Sequence, residues 1–249
     1  MPEMIINNLK IEFNDGATVL QAARSVGIDI PALCYHPGLK PYGACRLCLV
    51  EVLEGGRPGL AASCTLSAAR QLVVQTDTPR VVSARRMVLG LLLARNPNSE
   101  LLRSFADRYG VMNISYQSET DRCILCGLCV RACEALGKYV LGFSGRGGSR
   151  RVCVPFDKPP TDCIGCRACE QVCPVQLIKV MQEQDKVVIW PWQAEITFMR
   201  CAKCGTILGS QKQVNELKLF LPGLWNNLCP SCRRRFQASL AAGVAVNNK

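Results

Sequence analysis

The sequence predicts an α+β chain assembled from several small units rather than one large core, and three observations carry that prediction. Seventeen of its 249 residues are cysteine, far above ordinary usage. The cysteines fall in spaced groups, each set among its own strand, helix and turn signals. Two of the groups repeat one another at C-x2-C-x2-C-x3-C spacing.

Residues 1–77 read as a small α+β unit. Ile5 to Phe13 is strand-like, Asn14-Asp15-Gly16 is a turn signal, and Thr18 caps a helix that ends at Gly27. Leu49 to Leu53 and Leu72 to Thr76 are further strands, with a turn at Gly55-Gly56. Residues 78–112 read as a helical linker. Thr78 caps it, Pro79 suits the first helical position, and Val82, Met87, Leu89, Leu92 and Leu93 form its apolar side. Pro97 interrupts it, and Ser99 caps a second helix, Glu100 to Tyr109, closed by Gly110.

Residues 113–185 hold the cysteine repeat, with Gly142 to Arg151 between its halves as a surface hairpin. Trp190-Pro191-Trp192 then suits either a packed linker or an interface element. Residues 196–236 form a last cysteine-bearing unit, and 237–249 a tail.

Dense cysteine means disulfides or bound metal. The N-terminal stretch MPEMIINNLKIEF lacks the basic and apolar regions of a signal peptide. The longest apolar run, Met87 to Ala94, is far shorter than the roughly 20 residues a membrane helix needs. A cytoplasmic protein with metal-bound thiolates is the expectation. The formal charge of +11 invites a nucleic-acid reading. Sixteen metal-bound thiolates, less roughly eight positive charges from the metal ions, would bring the loaded protein to about +3. Most of the basic excess then compensates anionic metal centres, and no nucleic-acid partner is expected.

The first constellation is Cys34-x10-Cys45-x2-Cys48-x15-Cys64. Two irons bridged by two sulfides need four thiolates, two per iron. The short Cys45–Cys48 loop supplies adjacent ligands, while Cys34 and Cys64 arrive from elsewhere, and Gly43 lets the backbone approach closely. A zinc site is the competing reading. The second constellation is the repeat, with Pro174 after its second copy. In such runs the fourth cysteine of each copy ligates the other cluster. One [4Fe–4S] cluster is thus expected on Cys123, Cys126, Cys129 and Cys173, and another on Cys163, Cys166, Cys169 and Cys133. Glu134 follows Cys133 where proline is usual, which leaves the local turn open.

The third pairs Cys201-x2-Cys204 with Cys229-x2-Cys232. Two such knuckles suit a closed tetrahedral S4 site, for which structural zinc is the default. Mononuclear iron comes next and a further iron–sulfur cluster third. Cys153 is left over, in a strand-like stretch that suits a buried inert thiol. Arg70, Arg80, Arg85, Arg86 and Arg233-Arg234-Arg235 suit solvated faces, or else docking patches.

The stretch Cys34-Tyr35-His36-Pro37-Gly38-Leu39, followed by Gly43-Ala44-Cys45-Arg46-Leu47-Cys48-Leu49-Val50-Glu51-Val52, resembles one subunit family. These are the iron–sulfur subunits of NADH dehydrogenases, of NAD-reducing hydrogenases and of iron-only hydrogenases. The resemblance covers most of residues 1–182. It implies an N-terminal β-grasp [2Fe–2S] ferredoxin domain, a helical linker, a bacterial two-[4Fe–4S] ferredoxin domain and then the zinc-ribbon-like unit. It also implies a cytoplasmic hetero-oligomer whose sister subunit binds NAD(P)(H) and flavin. The NADH dehydrogenase relative carries a further cluster on one histidine and three cysteines. Residues 65–122 contain neither residue type, so that cluster is not expected. The lone histidine, His36, suits a hydrogen bond near the first cluster instead.

There is no dinucleotide-binding glycine motif, no phosphate-binding loop and no acid/base pair. Neither a hydrogenase catalytic domain nor a molybdopterin domain is expected in this chain. No catalytic residue is expected either: the three clusters read as a wire within an oxidoreductase complex. An electron-bifurcating NAD(P)H:ferredoxin complex of transhydrogenase type is the first reading, and an NAD-linked hydrogenase or formate dehydrogenase the second. A free-standing polyferredoxin or zinc-ribbon binding protein is the reading from another class.

Overall fold

The computed structural model describes residues 2–111, 118–119, 121–183, 186–220 and 227–241. The expected boundary near 112 and the end of the tail lie outside these residues. The chain divides into two compact units, Met1–Cys153 with Ala168–Leu177, and Val154–Arg167 with Ile178–Lys249.

The first unit opens with a five-stranded sheet ordered β2-β1-β5-β3-β4. Its strands are β1 (Glu3–Ile6), β2 (Leu9–Glu12), β3 (Leu49–Glu54), β4 (Gly59–Ala62) and β5 (Val73–Gln75). The single strand expected over Ile5 to Phe13 is instead the β1–β2 hairpin, in which Ile6 pairs with Leu9. Asn7 and Asn8 form its two-residue turn with φ of 52° and 65°, the left-handed backbone that such turns demand and asparagine tolerates. β1 pairs parallel with β5, and β3 pairs antiparallel with both β4 and β5.

Helix α1 (Val19–Ser25) lies against this sheet, its N-terminus closed by a Thr18–Gln21 capping box. Val19, Leu20 and Ala23 join Met4, Ile6, Val50 and Val74 in one core. Each large apolar side chain fully buried there contributes on the order of 1.5–3 kcal/mol.

Helix α2 (Pro79–Arg95) begins at Thr78 with Pro79 in its first turn, and α3 (Glu100–Tyr109) runs from Ser99 to a left-handed Gly110. The buried face of α2 is Val81, Arg85, Leu89 and Leu93, a strict four-residue spacing. Met87, expected on the apolar side, is 73% exposed. Arg85, expected on a solvated face or docking patch, is 1% exposed. The helix turns an arginine inward because the neighbouring backbone offers it carbonyl acceptors.

Helix α4 (Leu128–Ala135) runs through Cys133 and Glu134. Helix α5 (Ala168–Gln171) stops short of Cys173-Pro174. The missing proline explains the difference, since Glu134 retains the N–H that a helix continues with. Strands β6 (Gly142–Ser144) and β7 (Arg151–Cys153) form the expected hairpin. Cys153 is half-buried there rather than fully buried.

The second unit contains a meander that the cysteine spacings do not foretell. Strands β8 (Lys179–Glu183), β9 (Lys186–Trp190), β10 (Ala194–Arg200) and β11 (Ile207–Ser210) lie in the order β11-β10-β9-β8. Trp190-Pro191-Trp192 is therefore not a linker between units but runs from the end of β9 into the β9–β10 turn, with Trp190 47% exposed. Buried Val187, Ile189, Ala194 and Ile196 form the inward face. Helix α6 (Gln211–Phe220) packs on β10 and β11, and α7 (Pro230–Ala241) follows Cys229. Part of the expected tail, 237–241, is the last turn of α7. Among the described residues, no helix is long and apolar enough to cross a membrane.

Candidate metal centres

Among the described residues, which include all seventeen cysteines, no disulfide forms. The fold gathers Cys34, Cys45, Cys48 and Cys64, each nearly or fully buried. Cys34 precedes the loop, Cys45 and Cys48 bracket its tight end, and Cys64 follows β4. Arg46 between the pair takes φ 55°, which curls the chain around the two sulfurs. Gly43 takes φ 70°, and a Cβ there would meet the Thr65 methyl at 3.2 Å, beside Cys64.

The Cys45 N–H donates to Cys34 Sγ at 3.5 Å. Hydrogen bonds from the Cys45 and Cys64 thiols hold Cys34 far below the ordinary thiol range, while Cys45 and Cys64 are pushed up. The Cys64 thiol likewise pulls Cys48 down to about 6. Four buried sulfurs, linked by thiol contacts from Cys45 to Cys34, Cys34 to Cys64 and Cys64 to Cys48, fit the cationic core of a small iron–sulfur group. His36 is exposed, and its Nδ1 accepts the Gly38 N–H at 3.1 Å, a bond within the loop.

Cys123, Cys126, Cys129 and Cys173 also lie within electrostatic reach of one another. Burial pushes Cys126 up to about 12 and raises Cys123 and Cys129, and repulsion among the four adds to it. Four thiolates together there would need cations to offset their charge. The Cys123 sulfur accepts the Leu125 N–H at 3.4 Å. Cys133 sits on α4 and accepts the Val140 N–H at 3.3 Å. Cys169 sits on α5; Cys163 and Cys166 lie in the preceding loop, with Cys166 exposed.

The two halves of the repeat share a backbone conformation. Leu125 (φ 56°) and Gly127 (φ 71°) match Gly165 (φ 71°) and Arg167 (φ 61°), so each half places two left-handed residues between its three leading cysteines. Glycine occupies the opposite one of the two positions in each half.

Cys201, Cys204, Cys229 and Cys232 have sulfurs that all lie within 4.8 Å of one another. Cys204 and Cys229 stand 3.6 Å apart, close to the roughly 3.8 Å edge of a tetrahedron with 2.3 Å zinc–sulfur bonds. The first knuckle sits between β10 and β11, where Gly205 turns at φ 72°. The second pair lies at the start of α7 rather than on a second hairpin. There the Cys229 N–H donates to Cys201 Sγ at 3.3 Å and the Cys232 N–H to Cys229 Sγ at 3.4 Å. The Cys229 N–H draws Cys201 down to about 6. The Thr206 hydroxyl lowers Cys204, and contact with Cys204 raises Cys232 to about 12.

Three arginines that the sequence does not single out as site residues hold the cysteine loops. Arg85 donates to the carbonyls of Leu47 and Leu49, on either side of Cys48. Arg95 donates to the Cys123 carbonyl. Arg131 donates to the Cys34 carbonyl at 2.6 Å. Ser63 adds its hydroxyl and its N–H to the carbonyl of Cys48, at 2.8 and 3.0 Å. The one available signal is position: Arg131 lies inside the Cys129–Cys133 run. Cys34, Cys45 and Leu47 share a single apolar cluster with Ile124, Cys126 and Leu128, so one dry core serves both cysteine sets.

Residues 3–79 match the model of the 2Fe-2S iron-sulfur cluster binding domain, and residues 158–179 that of the 4Fe-4S binding domain. An NADH-quinone oxidoreductase subunit of Rhizobium meliloti is 32% identical over 88% of this chain and 28% of its own length. The NADP-reducing hydrogenase subunit HndD of Solidesulfovibrio fructosivorans is 32% identical over 70% of this chain and 37% of its own. A chain from the crystal structure of an NAD+-reducing [NiFe]-hydrogenase in the H2-reduced state matches at 34% identity. That match covers 62% of this chain and 75% of the other, with a TM-score of 0.55.

The chain belongs to this family of iron–sulfur subunits.

It spans 28% and 37% of the lengths of the two curated relatives it matches above. As a member of the family it carries a 2Fe–2S domain and a 4Fe–4S domain in a mixed α and β fold.

Proposed function

We propose that this iron–sulfur subunit relays electrons between a flavin- and NAD(P)(H)-binding sister subunit and ferredoxin or a further redox subunit. The complex we favour is a cytoplasmic, electron-bifurcating NAD(P)H:ferredoxin oxidoreductase of transhydrogenase type. The subunit itself would make and break no substrate bond. Cys34, Cys45, Cys48 and Cys64 would hold a [2Fe–2S] cluster. Cys123, Cys126, Cys129 and Cys173 would hold one [4Fe–4S] cluster, and Cys163, Cys166, Cys169 and Cys133 the other. Cys201, Cys204, Cys229 and Cys232 would hold structural zinc. The clusters, when bound, supply reversible one-electron chemistry.

The observation that carries this reading is the single apolar core holding Cys34 and Cys45 together with Cys126. Its residues exclude water between the two cysteine sets, and Arg85, Arg95 and Arg131 fix the loops and offset their negative charge. The hydrogenase relatives favour a second reading, a subunit of an NAD-linked hydrogenase, with formate dehydrogenase as its variant.

Affinity purification without air tests the proposal. Co-purification of a flavin-containing, NAD(P)-binding subunit without a hydrogenase subunit is the expected result. A nickel-containing partner would favour the second reading. An isolated chain that binds nucleic acid with a steep salt dependence would contradict both.

A further inference from the structure

Arg131 stands on α4 between two of its cysteines and reaches back 97 residues to the first constellation. Its Nη1 donates to the Lys40 carbonyl at 2.6 Å and its Nη2 to the Cys34 carbonyl at 2.6 Å. The same Nη2 lies 3.5 Å from the Cys126 carbonyl. One guanidinium thus touches the backbone of a cysteine in each of two sets.

Its planar face is covered as well. The guanidinium carbon lies 5.4 Å from the ring centre of Tyr42, three residues before Cys45. Tyr42 stacks on Phe143 of β6, 6.2 Å away with the rings 13° from parallel. Arg150 lies 4.5 Å from the Phe143 ring and donates to Tyr42 Oη at 3.1 Å. The layers Arg131, Tyr42, Phe143 and Arg150 join the Cys34–Cys48 loop, α4 and the β6–β7 hairpin. Gly127, between Cys126 and Cys129, lies against this stack. A Cβ there would come within 3.2 Å of Phe143 and 3.3 Å of Tyr42.

Two physical consequences follow. A planar five-donor fork can hold three carbonyls and an aromatic face at once, which a lysine ammonium cannot. A fixed positive charge beside a redox group also favours its more negative, reduced form, and half-buried Arg131 is only partly screened by water. Arg131 Nε is buried with no acceptor among the described residues, so the side chain keeps a spare donor at this place.

We infer that Arg131 is a positioning residue shared by two cluster loops. It fixes the spacing of the Cys34–Cys48 loop from the Cys123–Cys129 loop, and its charge raises the reduction potential of both centres. This inference rests on the ligand assignment proposed above.

The test uses the full chain purified without air, as wild type, Arg131→Lys and Arg131→Met. Iron and sulfide content are measured first, followed by EPR-monitored redox titration and amide hydrogen exchange over residues 35–44. In Arg131→Met both midpoint potentials should fall and exchange should quicken at least about tenfold. Arg131→Lys should restore the potentials but leave the loop exchanging fast. Fully loaded Arg131→Met with unchanged potentials overturns the inference. Should Arg131→Met lose its iron, Arg131→Lys decides, and wild-type exchange in that variant overturns it. A wild type free of iron overturns the ligand assignment, and this inference with it.

Discussion

Nε of Arg85 donates to the carbonyl of Leu47 at 3.2 Å, and Leu47 is the residue before Cys48. The other arm of the same guanidinium takes the Leu49 carbonyl at 2.8 Å, so a buried cation straddles the cysteine. Its remaining donor meets Tyr109 Oη at 3.0 Å and Asp77 at 3.1 Å. One side chain of α2 thereby secures the tight end of the first cysteine loop and ties it to α3.

Replacing Arg85 by methionine should cost stability. Two inward carbonyls and the tyrosine hydroxyl would lose their partner, while exposed Asp77 would lose little. The expected loss is on the order of 2–4 kcal/mol, read as an earlier urea midpoint for bleaching of the visible absorbance. Arg85→Lys should recover part of it, since one ammonium cannot span both carbonyls. A methionine variant as stable as wild type would contradict the clamp.

Cys45→Ala should erase a [2Fe–2S] EPR signal and leave [4Fe–4S] signals in place. The two sets share an apolar core, but their thiols come from different loops. Simultaneous loss of every signal would show that the first loop is needed to build the others.

Cys232→Ser should abolish zinc binding and leave iron content unchanged. Cys232 lies in the first turn of α7, and its loss opens the tetrahedron formed with Cys201, Cys204 and Cys229. Trypsin should then cut the second unit faster, because structural zinc contributes directly to folding. Loss of one iron with no zinc in the wild type would assign a mononuclear iron instead.

Cys153→Ser should leave iron, sulfide and zinc unchanged. Cys153 pairs with Gly142 in a two-stranded hairpin, half-buried. A drop in iron content in this variant would make it a ligand.

Much of this arrangement is written locally. Thr18, Thr78 and Ser99 cap helices where they stand, and the cysteine spacings declare their groups without reference to the rest of the chain. The β1–β2 hairpin was legible in Asn7-Asn8, but the apolar residues on both sides, Ile5 and Ile6 before it and Leu9, Ile11 and Phe13 after it, read as one longer strand. The β9–β10 pair was likewise legible in the β-branched run at Val187, Val188 and Ile189. The arginines were not legible. Arg85 and Arg131 look like surface residues of helices, and their acceptors are carbonyls 36 and 97 residues away that only the folded chain brings near. A backbone carbonyl carries no sequence signature, so such a clamp emerges only from tertiary structure.

On the assignment proposed above, sixteen of these thiols grip metal. Iron, acid-labile sulfide and zinc analysis of the anaerobically purified chain tests it most directly. About ten irons, about ten sulfides and one zinc per chain are expected from the ligand sets. A colourless protein free of iron and sulfide would contradict the account.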